Sequence, residues 1–141
     1  MKKVSIIYWS NGGNVEVLAD AIAASAKEDG AQVMIKHVTD ATVDDVINAD
    51  SVAFGSPSMD SNRIEQQEME PYINQFKLLP NNGKKLILFG SYGWDEGQFI
   101  IDWSDRMKDY GFNVVDILAV KESPSEEQLR KARELGKELA R

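Results

Sequence analysis

Leu86-Ile87-Leu88-Phe89-Gly90-Ser91-Tyr92-Gly93-Trp94-Asp95-Glu96-Gly97 is a continuous apolar run that breaks into a glycine-rich, aromatic and acidic loop. The run is too short for a helix and closes on glycine, the pattern of a strand buried on both faces. Gly90, Gly93 and Gly97 are expected to let backbone approach a ligand, while Tyr92 and Trp94 offer flat faces for a planar ring. A strand ending in an ordinary turn with a partly buried tryptophan satisfies the same letters, so the choice rests on the rest of the chain.

Two further strand-then-loop units precede this one. Val4-Ser5-Ile6-Ile7-Tyr8-Trp9 is a β-branched and aromatic run ending at Ser10-Asn11-Gly12-Gly13-Asn14, after which Val17/Leu18, Ala21/Ile22 and Ser25/Ala26 recur at helical period up to Gly30. Ser51-Val52-Ala53-Phe54-Gly55 runs into the polar loop Ser56-Pro57-Ser58-Met59-Asp60-Ser61-Asn62. Between them lie a strand at Val33 to Val38 and a short helix through Ala49, for which Thr42 is the expected N-cap. Ile64, Met69, Tyr72, Ile73 and Phe76 form an irregular helical stripe that Pro71 is expected to interrupt.

Beyond the central loop, a helix is predicted from Gln98 to Tyr110, capped by Gly111, then a strand over Phe112 to Leu118. A last amphipathic helix opens at Pro124-Ser125-Glu126 and carries its basic residues from Arg130 onward, as the helix dipole favours. Five strands alternating with five helices predict a doubly wound parallel sheet with helices on both faces, residues 1–141 forming one domain. Ligands bind such sheets at the carboxyl ends of the strands, where the loops after strands one, three and four converge.

Composition narrows the function. The 141 residues are 43% hydrophobic and 9% aromatic, enough for a core, and the formal charge of −7 argues against nucleic acid and anionic membrane surfaces. With no cysteine, disulfides and thiolate catalysis are excluded, and any redox chemistry must use a bound organic cofactor. The chain also lacks an NTPase phosphate-loop motif and a Gly-x-Ser-x-Gly elbow, and one histidine cannot form a zinc cluster. A receiver domain needs acidic residues where this chain has Ser10-Asn11-Gly12-Gly13 and an acceptor aspartate where it has Gly55-Ser56-Pro57-Ser58. The apolar run after Met1-Lys2-Lys3 is too brief for a signal sequence or a membrane span, so a cytoplasmic location is expected.

Three motifs together carry a resemblance: Gly90-Ser91-Tyr92-Gly93-Trp94; Met59 followed by Glu68-Met69-Glu70-Pro71-Tyr72; and Tyr8-Trp9-Ser10 running into Gly13-Asn14. Over essentially its full length the chain resembles the short-chain flavodoxins. That resemblance implies the strand order 2-1-3-4-5 known for the fold, with FMN at the switch point. It places the phosphate on the loop of Trp9, Ser10, Asn11, Gly12, Gly13, Asn14 and Val15, whose backbone N–H groups open the first helix. It places the ring between Trp94 and Met59, with Asp60, Ser61 and Asn62 toward the flavin edge and Ser91, Tyr92 and Gly93 on the pyrimidine side, and counts Ser56, Pro57, Ser58 and Gly97 among the cofactor-binding residues.

Two departures from the family pattern stand out. Hydroxyl residues are usual where this chain has Ser10, Gly12 and Val15, and it keeps one of them. At about 1.5–3 kcal/mol per hydrogen bond to a charged group, two losses correspond to roughly two to four orders of magnitude in affinity unless Asn11, Asn14 or water substitutes. Asp60 stands where the family commonly has glycine, in the loop whose backbone carbonyl turns toward the ring on half-reduction, so Asp60 is expected at positive φ. His37, the sole histidine, is expected at the surface or sheet edge, away from the site.

The resemblance implies a non-enzymatic, low-potential electron carrier, monomeric, shuttling between redox proteins. Asp60, Glu65, Glu68, Glu70, Asp95 and Glu96 border the site, where acidic side chains orient basic-surfaced partners. Two other readings share the fold: a binding module with weakened or lost FMN binding, or a flavin or quinone reductase, for which the chain lacks room for the inserts that hold a second substrate.

Overall fold

The computed structural model describes residues 1–94 and 96–141, with Asp60 described by its backbone alone. β1 (Lys3–Tyr8), β2 (Gln32–His37), β3 (Ser51–Pro57), β4 (Lys85–Tyr92) and β5 (Asn113–Lys121) form one sheet in the order β2-β1-β3-β4-β5, every pair parallel. The predicted order therefore holds. β5 runs on to Lys121, and a register shift opposite Leu86 and Ile87 of β4 leaves Val115 as an extra residue in it.

The near-continuous hydrophobicity of β3 and β4 has its cause in the layers: each strand is covered on both faces. α1 (Asn14–Glu28) and α5 (Glu126–Ala140) pack on one side, where Leu18, Ile22, Leu135 and Leu139 meet Ile6, Ile87 and Phe89. Gly136 permits that contact, since a Cβ there would lie 2.4 Å from the Ile22 carbonyl oxygen. α2 (Val43–Ile47), α3 (Met69–Asn74) and α4 (Gln98–Asp109) cover the other face through Val46, Tyr72, Ile73, Phe99 and Trp103 around Phe54 and Phe76. Burying a phenylalanine of this kind contributes roughly 1.5–3 kcal/mol.

Helix ends follow the local chemistry. The Asp45 carboxylate accepts the Thr42 N–H at 2.8 Å, and Ser125 and Gln128 exchange side-chain and backbone bonds at 2.8 and 3.2 Å. Pro71 does not interrupt a helix: α3 begins at Met69, so Pro71 sits in the first turn, where its missing N–H costs no hydrogen bond. Among the described residues no helix is long and apolar enough to cross a membrane.

Candidate functional site

The loop from Trp9 to Gly13 turns the chain from β1 into α1. Gly13 takes φ +92°, a conformation that costs a residue with a Cβ roughly 1–2 kcal/mol, and the Ser10 Oγ accepts its N–H at 3.2 Å. The N–H groups of Asn14, Val15 and Glu16 follow at the helix start, where no intrahelical carbonyl exists for them. A Cβ on Gly12 or Gly13 would meet nothing within 4 Å, so the loop faces open space. Donors at a helix start facing space are a site for an anion such as a phosphate. Val15 differs from the expectation: it is 2% exposed and packed in the core with Leu18 and Ile22, so a hydroxyl at this position would enter the core rather than the loop.

His37 is not remote. As the last residue of β2 it pairs with Tyr8 at the end of β1, and its Nε2 lies 3.3 Å from the Ser10 nitrogen, accepting that N–H. Its ring meets Tyr8 edge-on at 5.5 Å and Trp9 at 6.2 Å. The parallel pairing of β1 and β2 was the available signal: strands ending together bring their last side chains to one place.

The second wall begins where β3 ends. Ser58 N–H bonds to the Ser91 carbonyl at 2.8 Å, and Met59 N–H to the Arg63 carbonyl at 2.6 Å, closing a tight turn. Within it Ser61 and Asn62, among the described residues, both have φ 57°, in the left-handed region. The short 3₁₀ segment Asp60–Asn62 is broken from within by the left-handed Ser61. Asn62 also bonds back to the Met59 carbonyl at 3.1 Å.

The acidic residues here do different work from that expected of an open acidic rim. Glu65 is 3% exposed, and its carboxylate accepts the N–H groups of Gln67, Glu68 and Met69 at 2.7–2.8 Å, capping α3. Its own N–H is held by the fully buried Ser56 Oγ, which makes Ser56 a support for the loop rather than part of its surface. Glu70 is paired with Arg106 through two bonds at 2.5 and 2.7 Å, which raises the guanidinium pKa further. Glu68 accepts the Trp9 indole N–H at 2.9 Å. Glu96 is exposed; Asp95 and the Asp60 side chain lie outside the described residues.

The third wall is the loop after β4. Trp94 is fully exposed and Met59 is 45% exposed, an unusual state for large apolar side chains. The glycines serve packing more than ligand approach. A Cβ on Gly90 would sit 2.1 Å from the Ser56 carbonyl oxygen and 2.8 Å from the Phe99 ring, and Gly97 takes φ +82° to start α4 beside the Tyr92 ring. Tyr92 accordingly packs on the α4 side of the core, while Gly93 faces open space.

A cleft of about 240 Å³ joins the walls, lined by Trp9, Ser10, Asn11, Gly12, Asn14, Val15, Pro57, Met59 and Ser91. Of the expected site residues, Gly13 lies within its loop, Ser58 adjoins it in the chain, and Trp94 lies three residues beyond its lining residue Ser91. Ser61 and Asn62 instead line a neighbouring cavity with Arg106 and Trp103, and Ser56, Tyr92 and Gly97 sit beneath the walls. Open donors at one end and the exposed Met59 at the other, with the exposed Trp94 on the loop that follows Ser91, fit a ligand with an anionic tail and a flat ring. FMN has that shape: Ser10 and the residues of 11–16 would hold the phosphate, and Met59 and Trp94 the ring.

Known proteins share this chain's sequence pattern and fold. The family model described as Flavodoxin matches residues 6–136. The chain is 38% identical to a flavodoxin of Megasphaera elsdenii, covering 98% of each chain, and 35% identical to one of Clostridium beijerinckii, covering 97% of this chain and 99% of that one. It superposes on the solution structure of the two-electron reduced Megasphaera elsdenii flavodoxin with TM-score 0.86 at 37% identity, over 97% and 98% of the two chains.

Proposed function

The chain belongs to the flavodoxin family of FMN-binding electron carriers, and from that premise we propose that its FMN lies in the cleft between the 9–15, 57–62 and 91–94 loops. The observation that carries the placement is a cleft lined at one end by an open helix start and at the other by the exposed Met59, with the exposed Trp94 three residues along the chain from its lining residue Ser91. Bound there, FMN supplies the one- and two-electron chemistry, and the protein binds, orients and tunes it.

Each wall has a defined part. Asn14, Val15 and Glu16 offer N–H groups to the phosphate, and Ser10, whose Oγ already accepts from Gly13, has its hydroxyl proton left to donate. Trp94 shields one ring face from water. The 59–63 turn, fixed at Met59, presents backbone to the ring edge. Glu96 and the exposed tip of the Trp94 loop form the face to which a basic-surfaced redox protein docks, monomer to partner, in the cytoplasm. Family membership favours the carrier over a module that has lost its flavin.

Stopped-flow mixing tests this reading. FMN-loaded protein, reduced with dithionite, is expected to pass electrons to an oxidised basic-surfaced redox protein in a bimolecular step that slows as salt rises. Transfer that is indifferent to salt, or no faster than from free reduced FMN, contradicts the docking face.

A further inference from the structure

The phosphate loop contains neither lysine nor arginine between residues 10 and 15, and the sole histidine of the chain sits against it. Three protein groups approach that imidazole: the Ser10 N–H at 3.3 Å from Nε2, and the Thr39 hydroxyl and N–H at 3.0 and 3.3 Å from Nδ1. A neutral imidazole has one N–H and one lone pair, so it cannot accept both backbone N–H groups. The Thr39 hydroxyl can donate or accept and suits either tautomer; in the one protonated at Nδ1, Nδ1–H donates to that hydroxyl and Nε2 accepts from Ser10. In that neutral form the first amide of the loop is spent on the ring instead of on the cleft.

We propose that His37 sets the phosphate affinity of the 10–15 loop by its protonation: neutral, it withholds the Ser10 N–H; protonated, it releases that donor and supplies the positive charge the loop lacks. The proposal rests on the FMN reading above and extends it to specificity between phosphorylated and unphosphorylated flavin.

Tyr8, edge-on to the imidazole, bonds through its hydroxyl to Glu16 of α1 at 3.3 Å, and Trp9, tilted against it, bonds to Glu68. Asp40 lies in the 3₁₀ turn that follows β2. The neighbouring cation on β2, Lys36, is engaged by Asp45 of α2 at 3.2 Å. A phosphate dianion bound beside an imidazole favours its charged form. The linkage is reciprocal: if the imidazolium binds phosphate more tightly, phosphate raises the imidazole midpoint by the same factor.

Because there is one histidine, its proton NMR titration needs no variant and no assignment. The midpoint is measured in flavin-free protein, with riboflavin and with FMN, binding being followed in the same samples by quenching of tryptophan emission. FMN is expected to raise the midpoint by about one pH unit, a tenfold linkage, and riboflavin to leave it unmoved. In parallel, the ratio of FMN to riboflavin affinity is measured at about pH 8 and about pH 5.5, either side of the ordinary imidazole value. It is expected to rise with falling pH about tenfold more in the parent than in His37→Gln, which still carries the ligand phosphate's own ionisation near pH 6. FMN that quenches tryptophan yet leaves the imidazole midpoint where riboflavin leaves it overturns this proposal and leaves the binding site standing. Identical pH dependence in parent and variant does the same. FMN that fails to bind at either pH overturns both.

Discussion

The Trp9 indole N–H and the Glu68 carboxylate, 59 positions apart in sequence, meet at 2.9 Å and tie the phosphate loop to the start of α3. The contact joins two walls of the cleft that have no backbone connection near it. Removing it is therefore expected to loosen the cleft rather than delete a ligand contact. Glu68→Ala should weaken FMN and riboflavin equally, by about 0.5–1.5 kcal/mol, the net contribution of one partly solvated hydrogen bond. A double-mutant cycle with Trp9→Phe checks it: the two substitutions should be non-additive by most of that amount.

Trp94 buries nothing within the chain. Its replacement by alanine should leave urea stability unchanged while weakening both flavins alike, by roughly 1–3 kcal/mol if stacking here resembles aromatic stacking on bases. An Ala variant that binds as tightly as the parent places the ring elsewhere.

The phosphate loop separates its two missing hydroxyls. Gly12 has no positive φ, and a side chain there meets open space, so threonine is sterically admissible. Gly12→Thr should tighten FMN by about 1.5–3 kcal/mol and riboflavin hardly at all, since only FMN carries the phosphate. Val15→Thr should add little affinity and lower stability by about 1–2 kcal/mol, because position 15 is core and a buried hydroxyl needs a partner. Paired FMN and riboflavin titrations with urea melts distinguish the two.

Strain in the 59–63 turn sits at Ser61 and Asn62. Serine in the left-handed region costs roughly 1–2 kcal/mol relative to glycine, part of which glycine gives back through its freer unfolded chain, whereas asparagine tolerates that region locally. Ser61→Gly should thus stabilise the protein by about 0.5–1 kcal/mol, and Asn62→Gly should be near neutral. Denaturation midpoints measured at constant m-value test the difference.

Much of this was legible in the sequence, for definite reasons. The apolar runs ending at Tyr8, Gly55 and Gly90 mark strands buried on both faces, and the 3.6-residue periods between them leave no other layer architecture. Pairings between distant side chains were not legible. That Glu65 is a buried cap, that Glu68 serves Trp9, and that His37 reaches Ser10 all depend on which strand ends adjoin and how a loop folds back. The glycines misled for a related reason: Gly90 is needed because β3 and Phe99 press on it, a crowding that no local pattern encodes. Backbone dihedrals in the 59–63 turn escaped because the family comparison fixed which loop is strained but not which residue.

The most direct test of the central claim is a titration of the flavin-free protein with FMN and with riboflavin, following tryptophan emission and the flavin band at roughly 450 nm. One FMN per chain should bind, quench the emission, and exceed riboflavin in affinity, with inorganic phosphate weakening FMN alone. A protein that binds neither flavin, or binds both with equal affinity and no response to phosphate, contradicts the placement of FMN across the 9–15 loop and Trp94.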